Sequence, residues 1–157
     1  MTYDISNKNT LVTGANRGIG KAIVESFLEH GASKVYAGVR TLDKADALVA
    51  QFGEKVVPVD IDYDKPASIK AAAKTAGDAH VVVSNAGVLI GAGVMDEDVI
   101  EQFQIELNIN VYGLIRMAQA FAPVLKRNGG GAFVQINSIA SLSSFPRATY
   151  PASKAAA

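Results

Sequence analysis

The chain has 157 residues, of which 49% are hydrophobic and 19% are charged, and its 15 basic residues balance its 15 acidic residues. This length and composition suit one domain with a sizeable apolar core, and the lack of a basic excess argues against nucleic-acid binding. The chain contains no cysteine, which excludes disulfides and thiolate metal sites.

Short β-branched runs alternate with longer helical stretches along the chain. Glycine or proline marks several boundaries: Gly31 ends the first predicted helix, Gly53 follows the second, and Pro66 lies in the first turn of the third. In chain order, the predicted elements are a strand over 10–12, a glycine-rich turn, a helix over 18–30, a strand over 34–39, a helix over 43–52, a strand over 55–59, a helix over 65–76, a strand over 80–83, a helical stretch over 96–126 that divides near Asn110, a strand over 132–137 and a helix from about Tyr150.

Continuous apolar strands that alternate with helices are typical of a parallel sheet covered on both faces. Right-handed crossovers between such strands give an α/β, doubly wound fold of the Rossmann type. The sequence has no internal repeat, low-complexity tract or linker, so we expect a single dinucleotide-binding domain over residues 1–157. The last predicted helix is cut off by the end of the chain, which predicts that this domain is incomplete at its C-terminal end.

A glycine-rich turn over residues 13–20 follows the first strand and opens the first helix. Gly14 permits a tight turn, Gly18 lets a pyrophosphate approach the backbone, and Gly20 lets the helix pack closely. The helix N-terminus directs free N–H groups and a partial positive charge at the anion. The spacing Gly-x-x-x-Gly-x-Gly differs from the general dinucleotide fingerprint, so an ordinary glycine-rich turn is the alternative.

The end of the second strand bears on which nucleotide is bound. A carboxylate there usually holds the ribose 2′-OH of NAD, whereas an arginine accommodates the 2′-phosphate of NADP. The sequence over 37–41 contains Arg40 and no acid, and Arg17 projects from the nearby glycine turn. Two guanidinium groups flanking one phosphate form a charge-assisted arrangement. We therefore expect NADP(H); the alternative is that both arginines are solvated surface residues.

Tyr150 and Lys154 are four residues apart, which on a helix places them on one face with about 5–6 Å between their Cβ atoms. A nearby ammonium lowers the pKa of a phenol from about 10. Such a tyrosine can give or take the proton that accompanies hydride transfer. The hydroxyl of Ser138, twelve residues before Tyr150, could hold the substrate oxygen. Taken alone, a Tyr-x-x-x-Lys spacing is weak, because any amphipathic helix can contain it.

These motifs, in this order, resemble those of the short-chain dehydrogenase/reductase family over the whole given length. The turn over 13–20 is similar to the family's cofactor turn, and Ser-Asn-Ala-Gly over 84–87 resembles its Asn-Asn-Ala-Gly element with serine in the first place. Asn110 begins an Asn-Val-Tyr-Gly sequence that resembles the element carrying the catalytic asparagine. The resemblance implies strand order 3-2-1-4-5, without the last strands of the complete family fold.

The resemblance also implies a role for each candidate residue. Tyr150 is the general acid or base, and Lys154 lowers its pKa and bonds the nicotinamide ribose. Ser138 positions the substrate carbonyl, Asn110 holds a water in a proton relay through Lys154, and Asp60 contacts the adenine. The expected cofactor-binding residues are Gly14, Asn16, Arg17, Gly18, Ile19, Gly20, Arg40, Asp60, Ile61, Asn85, Ala86, Gly87, Tyr150 and Lys154.

The function implied is that of an oxidoreductase transferring hydride between NADP(H) and a small carbonyl or alcohol, as a carbonyl reductase or an alcohol dehydrogenase. The alternative is a non-catalytic dinucleotide-binding module or an inactive truncated fragment, since fold alone does not separate these. The complete set of Asn110, Ser138, Tyr150 and Lys154 favours the enzyme.

Two departures from the family pattern matter. The separation of Ser138 from Tyr150 is one residue shorter than is common, which predicts a shorter loop over 141–149 and leaves open whether Ser138 or Ser141 is the catalytic serine. The predicted strand end favours Ser138. Members of the family also usually extend further at the C-terminus, so the resemblance implies that the given chain is a fragment.

The remaining expectations concern partners and location. Part of the apolar face along the long helical stretch must pack on the sheet, and the rest is covered either within the chain or by a partner. The resemblance implies a homo-dimer or homo-tetramer. We expect no metal site, no nucleic acid and no membrane association, since no apolar run approaches the ~18 residues of a membrane span, and a cytoplasmic location. Leu89, Ile90 and Phe145 suggest an apolar pocket wall. The apolar helical residues are Leu107, Val111, Leu114, Ile115, Ala118, Phe121, Ala122 and Leu125.

Overall fold

A computed structural model describes residues 3–143 and 147–157 of the chain. The strands are β1 (Asn9–Thr13), β2 (Lys34–Val39), β3 (Val56–Asp60), β4 (Val81–Ser84) and β5 (Ala132–Gln135). The α-helices are α1 (Gly18–Glu29), α2 (Asp46–Phe52), α3 (Pro66–Thr75), α4 (Val99–Glu106), α5 (Gly113–Arg127) and α6 (Thr149–Ala155). A π-helical turn (Leu107–Tyr112) joins α4 to α5, and 3-10 turns cover Leu42–Ala45, Gly53–Lys55 and Ile139–Ser141.

The strands form a five-stranded sheet in the order β3-β2-β1-β4-β5, and every neighbouring pair is parallel. This result confirms the doubly wound fold and the predicted strand order. The central strands β1 and β4 are buried along almost their whole length, as expected where helices cover both faces of a parallel sheet. Their continuous apolar sequences follow from that double coverage.

Alternate residues of each strand enter two separate cores, one on each face of the sheet. Leu11 and Val82 pack with Phe121 of α5 and with residues of α3 on one face. Val12 packs with Val24 of α1 and with residues of α2 on the other face. The sheet is therefore the middle layer of three, and its strand ends lie between the helices.

Several element boundaries differ from prediction. The helix predicted from residue 43 opens as a 3-10 turn, and the stretch predicted from residue 96 becomes helical only at Val99. The predicted division near Asn110 is confirmed as a π-helical turn, a rare form often found at functional sites. The expectation that Ser138 ends the fifth strand is wrong. That strand ends at Gln135, and Ser138 is the N-cap of the 3-10 turn Ile139–Ser141, where its hydroxyl accepts a hydrogen bond from the Ala140 N–H.

The apolar helical residues divide between core and surface. Phe121 and Leu125 are buried, and Met117 and Val124, which the predicted set omits, complete the buried face of α5. Ile115 is 47% exposed. Within the described part of the chain, no helix combines the length and apolar character needed to cross a bilayer.

Candidate functional site

The predicted site residues gather at the carboxyl ends of the parallel strands. Residues 14–20 follow β1, Arg40 follows β2, and residues 85–87 follow β4. The register pairs Thr13 with Gly38 of β2, and Asp60 with Val39. In a doubly wound sheet this edge is where ligands bind, at the point where the strand order reverses.

The glycine turn brings α1 very close to the end of β1. A Cβ atom on Gly20 would lie 2.1 Å from the main-chain oxygen of Gly14 and 2.6 Å from the side-chain amide nitrogen of Asn85. Any side chain at position 20 would therefore displace the helix. The Ala15 N–H donates to the Gly38 oxygen over 3.2 Å, which ties the turn to β2 as well.

The N-terminus of α1 leaves open space for an anion. Gly18 has φ +53°, and a Cβ built on it meets nothing within 4 Å. The first turn of α1 contains no acidic residue, and its first N–H groups have no acceptor within the helix. Asn16 is half-buried in the turn, and Ile19 is 62% exposed. This cradle fits the phosphates of a dinucleotide.

Charges near the end of β2 are basic, with one acid on the neighbouring strand. Arg17 and Arg40 are both exposed, and no ion pair in the described residues involves either guanidinium group. Asp60 is exposed at the last position of β3, and Ile61 after it is buried, with its N–H donating to the Val39 oxygen over 2.8 Å. No carboxylate follows β2 directly.

A hydrogen-bond centre that the sequence reading missed lies between β1 and β4. The Thr13 hydroxyl oxygen accepts from the N–H groups of Asn85 and Ala86, both at 3.0 Å, and it lies 3.2 Å from the Tyr63 hydroxyl. The Asn85 side chain donates to the Thr13 main-chain oxygen over 2.8 Å. Thr13 is fully buried, and a polar residue ending an apolar strand is the signal that could have identified it.

Ser84, which stands where the resembled family has asparagine, joins the same network. Its hydroxyl lies 3.2 Å from the Tyr63 hydroxyl, and both side chains are buried. Burial raises the pKa of Tyr63, while its hydrogen bonds to Ser84 and Thr13 oppose that shift. Tyr63 therefore remains a neutral donor and acceptor that links the end of β3 to the ends of β1 and β4.

Asn110 is 4% exposed in the π-helical turn, and its side-chain amide makes three hydrogen bonds. Its oxygen accepts from the Val88 N–H over 2.9 Å, and its nitrogen donates to the Val88 oxygen and to the Ser153 hydroxyl, each over 2.9 Å. The side chain thus connects the segment after β4 to α6. The side-chain oxygen can accept a second hydrogen bond, and the water contact of Asn110 stays a prediction.

Lys154 is 7% exposed, an unusual degree of burial for a lysine. Its Nζ donates to the Ile136 oxygen over 3.4 Å and lies 3.4 Å from the position of a Cβ atom on Gly87. Burial lowers the pKa of Lys154. A cavity of about 10 Å³ lies against Lys154 and Asn110, with Ser84 also in its wall, and its volume is near the least that holds one water molecule.

Tyr150 and Ser138 lie on neighbouring elements at this edge. Tyr150 is half-buried in the first turn of α6, one helical turn before Lys154, and the 3-10 turn that begins at Ser138 packs against α6. The Ser141 hydroxyl donates to the Ser138 main-chain oxygen over 2.7 Å. Within the described ranges, the Ser138 hydroxyl accepts one hydrogen bond and donates none, which favours Ser138 over Ser141.

The predicted apolar wall is described only in part. Leu89 is 60% exposed and Ile90 half-buried beside the site, whereas Phe145 lies outside the described residues. Within the described ranges, no group of three histidine, aspartate or glutamate side chains is arranged to hold a metal ion.

Several known proteins are similar to this chain in sequence. A family profile described as short chain dehydrogenase matches residues 8–157. Short chain dehydrogenase pigC of Monascus ruber is 33% identical over 150 residues, covering 87% of this chain and 49% of that protein. Short-chain dehydrogenase/reductase 3 of Bos taurus is 32% identical, covering 98% of this chain and 53% of that protein. The chain spans about half the length of these two curated relatives.

Solved structures share the fold over nearly the whole chain. A short chain dehydrogenase from Burkholderia cenocepacia, solved in complex with NADP, has a TM-score of 0.89 and 37% identity, with coverage of 98% of this chain and 63% of that one. A 7α-hydroxysteroid dehydrogenase complexed with NADH and 7-oxo glycochenodeoxycholic acid has a TM-score of 0.88 and 28% identity, with coverage of 97% and 62%. On the family profile, the relatives and the shared fold, the chain belongs to the short-chain dehydrogenase/reductase family.

Proposed function

We propose that the chain carries the cofactor-binding and proton-transferring part of an oxidoreductase that moves a hydride between NADP(H) and a small carbonyl or alcohol. The observation that carries this proposal is the burial of the Lys154 ammonium beside Gly87 and Asn110, one helical turn from Tyr150. A cation kept at 7% exposure, with no carboxylate partner among the described residues, costs stability. Such a cost is typical of a functional site.

Each side chain has a distinct task in this proposal. The bound nicotinamide would supply or accept the hydride, while the protein supplies orientation and electrostatics. Tyr150 gives the proton to the carbonyl oxygen, or takes it from the alcohol, and Lys154 lies one helical turn away on α6. Ser138 donates its free hydroxyl proton to the substrate oxygen. Asn110 holds the segment that begins at Val88 against α6.

A tyrosine replacement tests the catalytic assignment. Tyr150→Phe removes the transferable proton, and general acid–base catalysis typically raises a reaction rate about 10²–10⁴-fold. The rate of NADPH oxidation with a panel of ketones should therefore fall by at least about 10²-fold, while NADPH binding persists. Tyr3→Phe, at a tyrosine that is 50% exposed near the start of the chain, is the matched control. An unchanged rate in Tyr150→Phe would remove the catalytic assignment. NADPH binding without turnover in the parent chain would favour the non-catalytic module.

The preference for NADP(H) over NAD(H) rests on charge. Arg40 is exposed directly after β2, residues 37–41 contain no acid, and Arg17 is exposed at the glycine turn. A relative from Burkholderia cenocepacia was solved with NADP, whereas a hydroxysteroid dehydrogenase of the same fold was solved with NADH. We therefore expect Arg40→Ala to weaken NADPH binding about tenfold or more and NADH binding little, since a charge-assisted phosphate contact is lost.

The control for this experiment is Arg127→Ala, at an exposed arginine in the last turn of α5, the end of the helix away from the site. Isothermal titration with each nucleotide measures both affinities. Equal losses for NADPH and NADH in Arg40→Ala would contradict a 2′-phosphate contact.

We also propose that the functional protein is a homo-dimer or homo-tetramer. Ile105, Tyr112 and Ile115 lie along the outer side of the α4–α5 stretch and are each about half exposed, and large apolar side chains grouped on a surface are typical of an interface. Sedimentation velocity should show a dimer or tetramer that Ile115→Asp dissociates. A parent chain that sediments as a monomer at high concentration would contradict this assembly.

A further inference from the structure

The five residues 88–92 directly follow the predicted cofactor-contacting segment and are held by side chains from α4, the π-helical turn and α6. Asn110 bonds both main-chain groups of Val88. Farther along the segment, the three consecutive N–H groups of residues 90–92 all donate to side-chain oxygens rather than to main-chain acceptors. Their acceptors are Glu106 at the end of α4 and Thr149 at the start of α6.

Glu106 takes two of these donors with one oxygen. Its Oε1 accepts from the N–H groups of Ile90 and Gly91, over 2.8 and 2.9 Å. The residue is 0% exposed, and its Oε2 is buried with no hydrogen-bond partner among the described residues. Burying a carboxylate with one oxygen unsatisfied is expensive, and an apolar residue at this helix position would avoid that cost. The cost of burying Glu106 is explained if the fold requires its hydrogen bonds to the Ile90 and Gly91 N–H groups.

Thr149 completes the set from the opposite side. Its hydroxyl accepts from the Ala92 N–H over 3.0 Å, and its own N–H donates to the Ala92 oxygen over 3.4 Å. It is 4% exposed and immediately precedes Tyr150. Two hydrogen bonds between Ala92 and Thr149 therefore join this segment to the first turn of α6, next to the candidate acid–base residue Tyr150.

We propose that Glu106 and Thr149 are positioning residues, which clamp residues 90–92 between α4 and α6 and thereby set the position of the Tyr150 ring. The effect of this clamp on catalysis rests on the proposed function, whereas the clamp itself consists of hydrogen bonds that fix the position of the Tyr150 ring. Asn110 reinforces the same link through its bond to Ser153, which in turn donates to the Tyr150 main-chain oxygen over 2.8 Å.

Two pairs of variants separate hydrogen bonding from shape. Thr149→Val removes the acceptor for the Ala92 N–H at nearly constant volume, and Thr149→Ser restores it. Glu106→Leu removes the acceptor for Ile90 and Gly91, whereas Glu106→Gln keeps one acceptor oxygen and discards the charge. The clamp predicts that the serine and glutamine variants behave like the parent and that the valine and leucine variants do not.

The first measurement is hydrogen exchange by mass spectrometry on the whole chain without nucleotide. Peptides that cover 88–98 should exchange about tenfold faster in Thr149→Val and Glu106→Leu, because the lost hydrogen bond contributes about one power of ten to local opening. Peptides from β2 provide the internal reference. Parent-like exchange of 88–98 in a folded Thr149→Val chain would overturn the clamp.

The second measurement follows Tyr150 directly. The chain has five tyrosines, so fluorotyrosine labelling gives few fluorine NMR signals, and Tyr150→Phe identifies the Tyr150 signal by its loss. That signal should move in Thr149→Val and Glu106→Leu and return in Thr149→Ser and Glu106→Gln, while the Tyr36 signal stays in place. A stationary Tyr150 signal would reject the positioning role. If Glu106→Leu does not fold, the Thr149 pair decides the result. Neither measurement needs turnover, so failure of the clamp and failure of the proposed function are distinguishable.

Discussion

The Thr13 hydroxyl offers the sharpest test of how the strand ends are held together. Thr13→Val removes an oxygen that accepts two N–H groups at 3.0 Å, from Asn85 and Ala86, in a residue that is fully buried. Each buried N–H left without a partner costs about 1–3 kcal/mol, and the added methyl group returns part of that energy. We expect the free energy of unfolding to fall by about 2–4 kcal/mol.

Urea unfolding followed by circular dichroism measures this loss. With an m-value of about 2 kcal/mol/M, the midpoint should fall by about 1–2 M. Thr13→Ser is the matched control, since it keeps the hydroxyl and loses one buried methyl group worth about 1 kcal/mol. A valine variant as stable as the serine variant would refute the view that this hydroxyl holds residues 85 and 86 in place. We also expect Thr13→Val to weaken dinucleotide binding more than Thr13→Ser does, because the displaced segment forms part of the candidate site.

Three further predictions concern close packing, a surface carboxylate and the buried amine. Gly20→Ala places a Cβ 2.1 Å from a main-chain oxygen, so it should destabilise the chain by about 3 kcal/mol. The control is Gly18→Ala, whose Cβ meets no atom within 4 Å and which should cost about 1 kcal/mol because of the left-handed backbone there. Equal losses of unfolding free energy for the two variants in urea titrations would contradict the close approach at Gly20. Asp78 accepts a hydrogen bond from Tyr36; although burial raises its pKa, that bond and a nearby lysine lower the pKa overall. Asp78→Asn should therefore lower the free energy of unfolding by about 0.5–1 kcal/mol at pH 7, a small loss because the side chain is half exposed. This loss should disappear as the pH falls through the lowered pKa. A difference in stability between variant and parent that persists at pH 2 would be evidence against the charge contribution. Burial lowers the pKa of Lys154, so Lys154→Met should unfold at a higher urea concentration than the parent near pH 7. The difference between the two urea midpoints should narrow as the pH rises toward 10, because only the charged amine destabilises the fold. A methionine variant less stable than the parent would show that the buried amine does not destabilise the fold.

Much of this protein follows from local sequence alone. The alternation of β-branched runs with helical stretches predicts a parallel, doubly wound sheet, and the glycine turn predicts that α1 begins at Gly18. The four-residue spacing of Tyr150 and Lys154 gives one helix face without knowledge of any other element. These inferences succeed because helix periodicity, strand burial and glycine conformations depend on neighbours in the chain.

Other features depend on which strands and helices become neighbours in space. The partners of the Thr13 hydroxyl are 72 and 73 residues away along the chain, and Glu106 and Thr149 meet residues 90–92 only after α4 and α6 have packed at the same edge. The 7% exposure of Lys154 and the division of the α5 residues between core and surface also arise from that packing. Sequence spacing determines the helix or strand face on which a side chain lies. Its hydrogen-bond partners and its desolvation depend on strands and helices that are distant along the chain and adjacent in space, so only the tertiary structure specifies them.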